Sequence, residues 1–255
     1  TLDADGVFDA TGGSITFSGA GDLNLSSTVT SLGTLSGAGT VTYDSAGDQD
    51  IVEDAYNNLR SGGGSGTKTL AGAVTVAGAF TTDAGVRTAM GASNLTVTGA
   101  TDINGTVTIT TAILDANGTF DATGGNVTFT GAGALTLFST VTDLGTLSAD
   151  NGTVTYDGVD QAVFSDDYYS LTAGGGSGTK TFGGDVTVAG DFTIDAGVTT
   201  AMGANNLTVA GATTIPGTVT MATGTFDADG AFDATGGTID INGDGNLTLA
   251  STVTD

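Results

Sequence analysis

The sequence predicts an all-β chain wound as a parallel β-solenoid, and three observations carry that prediction. The first is an internal repeat of constant period. FDATGG begins at Phe8, Phe120 and Phe232, 112 residues apart each time. The run Gly62–Gly63–Gly64–Ser65–Gly66–Thr67–Lys68–Thr69 returns in the same phase as Gly174–Gly175–Gly176–Ser177–Gly178–Thr179–Lys180–Thr181. The second is a set of short apolar–Thr–apolar triplets, among them Val74–Thr75–Val76, Leu95–Thr96–Val97, Val127–Thr128–Phe129 and Val154–Thr155–Tyr156. Alternation of this kind buries one face of a strand and leaves hydroxyls on the other. The third is a shortage of helix signals: 44 glycines, with Thr, Val and Asp dominating the remainder, all weak helix formers.

Taken in order, the repeat divides the chain into residues 1–112, 113–224 and a partial copy 225–255, expected to form one continuous solenoid. Within a copy the triplets start at Val74, Leu95, Val127 and Val154, and Val186 opens the next round. Strands this short fall below the five or six residues usual in a sandwich. They suit coils in which each strand pairs with its counterpart one turn away, at five rungs of about 22 residues per copy. Gly, Asn or Asp follows each triplet and supplies the turns. One stretch, Glu53–Leu59, leans weakly towards helix. The core is expected from stacked Val, Leu, Ile and Phe, with Phe8, Phe17, Phe120, Phe129 and Phe232 inside. The competing fold is a tandem of immunoglobulin-like sandwiches, for which the repeat length is suitable. The short strands, the sub-repeat, the lack of a linker and the absence of Trp oppose it.

Composition narrows the function. Four Lys and Arg stand against 28 acidic residues, for a formal charge of −24. No basic stripe exists to displace counterions, which excludes nucleic acid as a partner. No apolar run reaches spanning length, so membrane insertion is not expected. Glu53 is the one glutamate; the other acids are Asp, the residue whose short side chain bonds turn backbone. Without Cys there is no disulfide, which suits a large repeat protein better than a small stapled one.

Five patterns in the sequence bear on chemistry. The Gly62–Thr69 run departs from a phosphate loop because Thr67 separates glycine from Lys68 and a strand follows. Lys68 and Lys180 are expected to bond neighbouring Asp or carbonyl groups. Asp3–Ala4–Asp5–Gly6, Asp115–Ala116–Asn117–Gly118 and Asp227–Ala228–Asp229–Gly230 recur in register. They make Asp3, Asp5, Asp115, Asn117, Asp227 and Asp229 the candidate calcium ligands, since hard cations take several oxygens from such turns. The same pattern is ordinary turn chemistry, and the EF-hand's distal Glu is missing. Catalysis lacks its usual groups: there is no His for a triad, and neighbouring Asp166 and Asp167 point to opposite faces of a strand. No catalytic or cofactor-binding residue is predicted. Thr-x-Thr motifs at Thr28, Thr106, Thr140, Thr153 and Thr218 do not fall into one column, against an ice-binding face. Asn-x-Ser/Thr sequons, such as Asn94 and Asn206, follow from the Asn- and Thr-rich composition.

The segment Tyr56–Asn57–Asn58–Leu59, Gly64–Ser65–Gly66–Thr67–Lys68–Thr69–Leu70 and Val74–Thr75–Val76–Ala77–Gly78 resembles one recurring in large secreted bacterial surface proteins. These are Gly/Thr-rich β-strand-repeat proteins, similar to haemagglutinin-like adhesins. The resemblance implies an extracellular β-solenoid stalk or fibre and brings no catalytic residues. The expected function is therefore a non-catalytic structural segment of an extracellular filament, stalk or surface layer. The alternative is an adhesin that holds glycans or neighbouring cells through repeated weak contacts. Residues 1–31 restate residues 225–255, and neither end reads as a cap. End-to-end self-association, or membership of a longer array, is the expected partnership.

Overall fold

The computed structural model describes residues 1–148 and 150–254. It is all-β, with 39 short strands stacked in parallel as a β-solenoid of about 13 turns. The sandwich alternative is thereby excluded. Glu53–Leu59 is not helical: it contains the strand Ala55–Tyr56 and the start of Asn58–Ser61, where the alternating burial of Tyr56 and Leu59 outweighs weak helix propensity. Two compact units are present. The first comprises Thr1–Gly133 with Thr142–Thr146, and the second Ala134–Val141 with the described part of Leu147–Asp255. Their limits do not follow the repeat boundaries.

In both units strands pair with the third strand on, except at the breaks described below, so a turn holds three strands and the wall has three faces. In the first unit one face runs Leu2–Ala4, Asp22–Leu25, Thr40–Tyr43, Asn58–Ser61, Phe80–Thr82, Thr101–Ile103 and Phe120–Asp121. Its inward file stacks Leu23, Val41, Leu59 and Phe80 in register, all essentially inaccessible. The triplets Val74–Val76 and Leu95–Val97 pair directly, as their 21-residue spacing requires. Burying such files supplies roughly 1.5–3 kcal/mol per large side chain. In the second unit Phe192, Phe226 and Phe232 pack edge to face at 6.2 and 5.9 Å. Phe120, Phe129 and Phe232 are buried as expected, whereas Phe8 and Phe17 are only half-buried.

The repeat is not a whole number of turns. Leu2–Ala4, Ile113–Ala116 and Thr225–Ala228 are the first, eighteenth and thirty-fifth strands, so one copy spends 17 strands, or five and two-thirds turns. This corrects the expectation of five rungs. Each unit shows the offset internally. In the first, Phe8–Asp9 pairs with Val29–Ser31, but its copy Phe120–Asp121 joins the face that begins at Leu2–Ala4. In the second, Ala134–Leu137 pairs with Thr153–Tyr156, whereas its copy Asn246–Leu249 joins the face of Thr225–Ala228 and Leu207–Val209.

FDATGG is a corner. Its Phe points inward; Thr123 donates from N and Oγ1 to Asp121 Oδ1 at 2.9 and 2.6 Å, closing an Asx turn. Gly124 then takes φ 77°, and Gly125 donates to Ala122 O at 2.8 Å. A Cβ on Gly125 would overlap Ile103 O of the preceding turn, whereas one on Gly124 would meet nothing. Gly125→Ala is therefore expected to destabilise the first unit by about 3 kcal/mol or more, since backbone must shift. Gly124→Asn should cost within about 1 kcal/mol, because Asn tolerates positive φ. Urea unfolding of the two variants decides this; equal costs would refute the assignment.

Candidate functional site

The side chains that distinguish this chain from a plain Val/Thr array are gathered inside the wall, not on it. Two of the three faces are interrupted once in the first unit. Val29–Ser31 and Thr34–Gly37 pair backwards, and Gln49–Ile51 and Ala55–Tyr56 pair forwards, with no ladder between them. The third face runs through unbroken at Thr40–Tyr43. An interrupted ladder leaves buried backbone groups in need of partners, and side chains at the break provide them.

Tyr43 and Tyr56 are both buried, their rings 6.4 Å apart and edge to face. Val52 N donates to Tyr43 Oη (3.2 Å), the two hydroxyls bond each other (2.8 Å), and Tyr56 Oη donates to Val52 O (2.7 Å). The ring closes on one residue and satisfies both of its backbone groups. Gln49 Nε2 donates to Leu25 O at 2.7 Å and Ser27 O at 2.6 Å, across the break. Lys68, wholly buried, donates through Nζ to Ser45 O (2.6 Å), Gly47 O (2.9 Å) and Ser65 O (3.4 Å). Desolvation pulls its pKa below the usual lysine value, opposed by Asp44 and Asp48. The ammonium beside the glycine run thus holds chiefly the Ser45–Gly47 turn of the preceding rung. Lys68 bonds carbonyls and not Asp, one of the two expected partners.

The second unit repeats the tyrosine ring, the glutamine clamp and the buried lysine. Phe164 N donates to Tyr156 Oη (3.0 Å), Tyr156 and Tyr168 hydroxyls bond at 2.9 Å, and Tyr168 Oη donates to Phe164 O (2.7 Å). Gln161 Nε2 reaches Leu137 O and Ser139 O. Buried Lys180 donates to Gly158 O and Val159 O. The copies differ by one residue gained before Thr153 and one lost before Gln161, yet the bonds survive. Desolvation raises the pKa of all four tyrosines, Tyr43 and Tyr156 to about 12.

The candidate calcium ligands are not brought together. Asp3 lies mid-strand in Leu2–Ala4 and accepts from Asn24 Nδ2 at 2.6 Å. Asp115 and Asp227 lie mid-strand in Ile113–Ala116 and Thr225–Ala228, half-exposed, on different strands of different faces. Asp5, Asn117 and Asp229 follow in the turns; Asn117 N and Asp229 N donate to Val97 O and Val209 O. Among the described residues no group of three or more His, Cys, Asp or Glu is placed to hold a metal ion. Part of the acidity has a cross-rung role besides the local turns. Asp185 accepts from Asn206 N, Asn206 from Thr225 N and Asp191 from Ala212 N, each about one turn on. Asn94 likewise accepts from Ile113 N. The sequons at Asn94 and Asn206 are thus engaged in corner ladders. Asp166 is followed by the strand Asp167–Tyr168, whose Asp167 N donates to Asp166 Oδ1.

Reading of the sequence missed the tyrosine rings and the glutamines. The usable signal was register. Lys68 occupies the inward slot of Thr67–Lys68–Thr69 that Val107 fills in Thr106–Val107–Thr108. Gln49 fills the slot of Val74 in an apolar–x–apolar triplet.

Comparison of the chain with protein-family models, curated proteins and solved structures finds no match. Among the described residues no helix is long and apolar enough to cross a membrane.

Proposed function

We propose that the chain is a structural repeat segment of an extracellular filament, stalk or surface layer, without a catalytic role. The observation that supports this most is the duplicated interior: tyrosine ring, glutamine clamp and lysine cradle recur in both units, and each bonds backbone. Side chains that a reactive site would expose are committed to keeping successive turns together. Stability of this kind adds along the axis, so length is gained without new design.

The adhesin reading has one observation in its favour. Thr136, Thr155, Thr172, Thr193 and Thr214 stand in register on one outer face of the second unit, a row of hydroxyls suited to many weak contacts. Immunogold labelling of intact cells, together with electron microscopy of the purified chain, tests the main reading. Surface label on filaments or a layer, and rods advancing about 27 Å per copy at 4.8 Å per turn, are expected. Label confined to the cell interior would refute it, and saturable binding on a glycan array would move the adhesin to first place.

A further inference from the structure

We infer that one outer face of the second unit is a binding surface for ice, whose ordered oxygens its threonine hydroxyls meet in register. The face is the sheet of Gln161–Val163, Gly178–Phe182, Val198–Gly203, Thr218–Met221 and Thr238–Ile241. This goes beyond the structural reading above and does not depend on it.

The ladder sets the outward residues of this sheet in two files. Thr179, Thr199, Thr218 and Thr238 form the first, each in register with the next, and Thr181, Ala201, Thr220 and Asp240 form the second. Between the files Lys180, Thr200 and Val219 point inward and are wholly buried. Neighbours within a file stand one rung apart, about 4.8 Å, and the files stand two residues apart along the strand, about 6.6 Å. Main-chain bonds thus hold hydroxyls and methyls in a rectangular net. Thr218–Val219–Thr220 is one of the Thr-x-Thr motifs that do not line up with one another; Thr199 and Thr238, which open no such motif, complete its file.

Two features separate this net from ordinary outward threonines. Its hydroxyls are uncommitted: among the described residues, no side-chain hydrogen bond engages Thr179, Thr181, Thr199, Thr218, Thr220 or Thr238. The counterpart in the first unit differs at two positions of the first file, which there reads Thr67, Arg87, Thr106 and Asn126. Arg87 Nε donates to Thr108 Oγ1 at 2.8 Å and Asn126 Nδ2 to Thr106 Oγ1 at 3.4 Å, so those hydroxyls are capped. The net is also uncharged as far as Asp240, in a chain with 28 acidic residues.

These features select the ligand. Sugars are held by aromatic stacking and by carboxylate or amide groups, and the net offers none of these before Asp240. A protein partner needs a large apolar or aromatic anchor, and the net has none. The prism faces of ice present oxygens in a rectangular net of closely similar spacings. Each hydroxyl takes an oxygen position, and each methyl lies against the lattice beside it. Single contacts of this kind are weak, and they hold when many form together on a scaffold that is already rigid.

The test grows ice slowly from a dilute solution of the full chain and compares the protein taken into the ice with that left in the liquid. The parent is expected in the ice at about tenfold the level of an inert globular protein. Thr199→Arg combined with Thr238→Asn gives the net residues that its counterpart already carries in the same fold, and should bring uptake down to the inert level. Thr208→Arg lies on another face, in the acid-interrupted file Asp167, Thr187, Thr208 and Asp227, and should leave uptake unchanged. Circular dichroism checks that each variant is folded. Exclusion of the parent from ice, full uptake of the double variant, or loss of uptake in Thr208→Arg would each overturn the inference. Ice uptake says nothing of where the protein is displayed, so this test and the surface-labelling test fail separately.

Discussion

Lys68→Met is expected to destabilise the first unit by about 3 kcal/mol, and Lys180→Met the second by a similar amount. Two effects oppose each other. Methionine spares the cost of burying an ammonium, which favours the variant. It also strips a side-chain donor from Ser45 O, Gly47 O and Ser65 O, on the inner side of two successive turns. Carbonyls left without partners cost about 1–3 kcal/mol each, and two or three of them outweigh the relief. Arg60→Met provides the contrast. Arg60 pairs with Asp83 at 2.9 Å but its side chain is 52% exposed, and exposed ion pairs contribute about 1 kcal/mol or less. Urea titration of the three variants, with hydrogen exchange to assign the loss to a unit, measures the difference. A Lys68→Met chain as stable as the parent would show that the cradle is incidental.

The second large effect is alkaline unfolding. An unfolded tyrosine ionises near pH 10, whereas Tyr43 and Tyr156 are pushed up to about 12 by desolvation, and their partners Tyr56 and Tyr168 are raised by the same cause. A group whose folded pKa lies above its unfolded value lends stability below the unfolded pKa and loses it as pH rises towards the folded one. The loss therefore begins near pH 10 and reaches roughly 2–3 kcal/mol for each buried hydroxyl by pH 12. Lys68 and Lys180 act with the opposite sign. Their folded pKa values lie below 10.5, so they favour folding as pH rises towards 10.5 and add nothing beyond it. Above that point the tyrosines act alone. Tyrosinate absorbance and loss of β-sheet circular dichroism should then rise together in a cooperative step, as ionisation opens the ring at Val52 or Phe164. Ionisation of all five tyrosines with the circular dichroism unchanged would contradict the closed rings.

The fold was largely legible because its signals are periodic. Val74–Thr75–Val76 and Leu95–Thr96–Val97 announce both the alternation and the length of a turn, and the FDATGG corners announce the period. The number of strands per copy was not legible, because two-residue strands such as Phe8–Asp9 and Ala55–Tyr56 are too short to alternate. They hold their place through the turns above and below, which is tertiary information. Lys68 was hidden for a different reason: a charged residue inside a wall is affordable only once the carbonyls of Ser45 and Gly47 face it, and these are 21 to 23 residues away in sequence. Glu53–Leu59 shows the converse, a local preference overruled by the need of Tyr56 to reach Tyr43 and Val52.

Five and two-thirds turns per copy give the repeat the character of a screw whose thread comes back into phase only after three copies. Extended through further copies, successive FDATGG corners would advance about 27 Å and look out a third of a circle apart, regaining the first direction after 17 turns, about 82 Å on. A ligand confined to one side would meet the motif only at every third copy. A surrounding lattice would meet it on every side equally often. Such a filament has no front and no back, so it can be approached, cross-linked or bundled from any azimuth without first being turned.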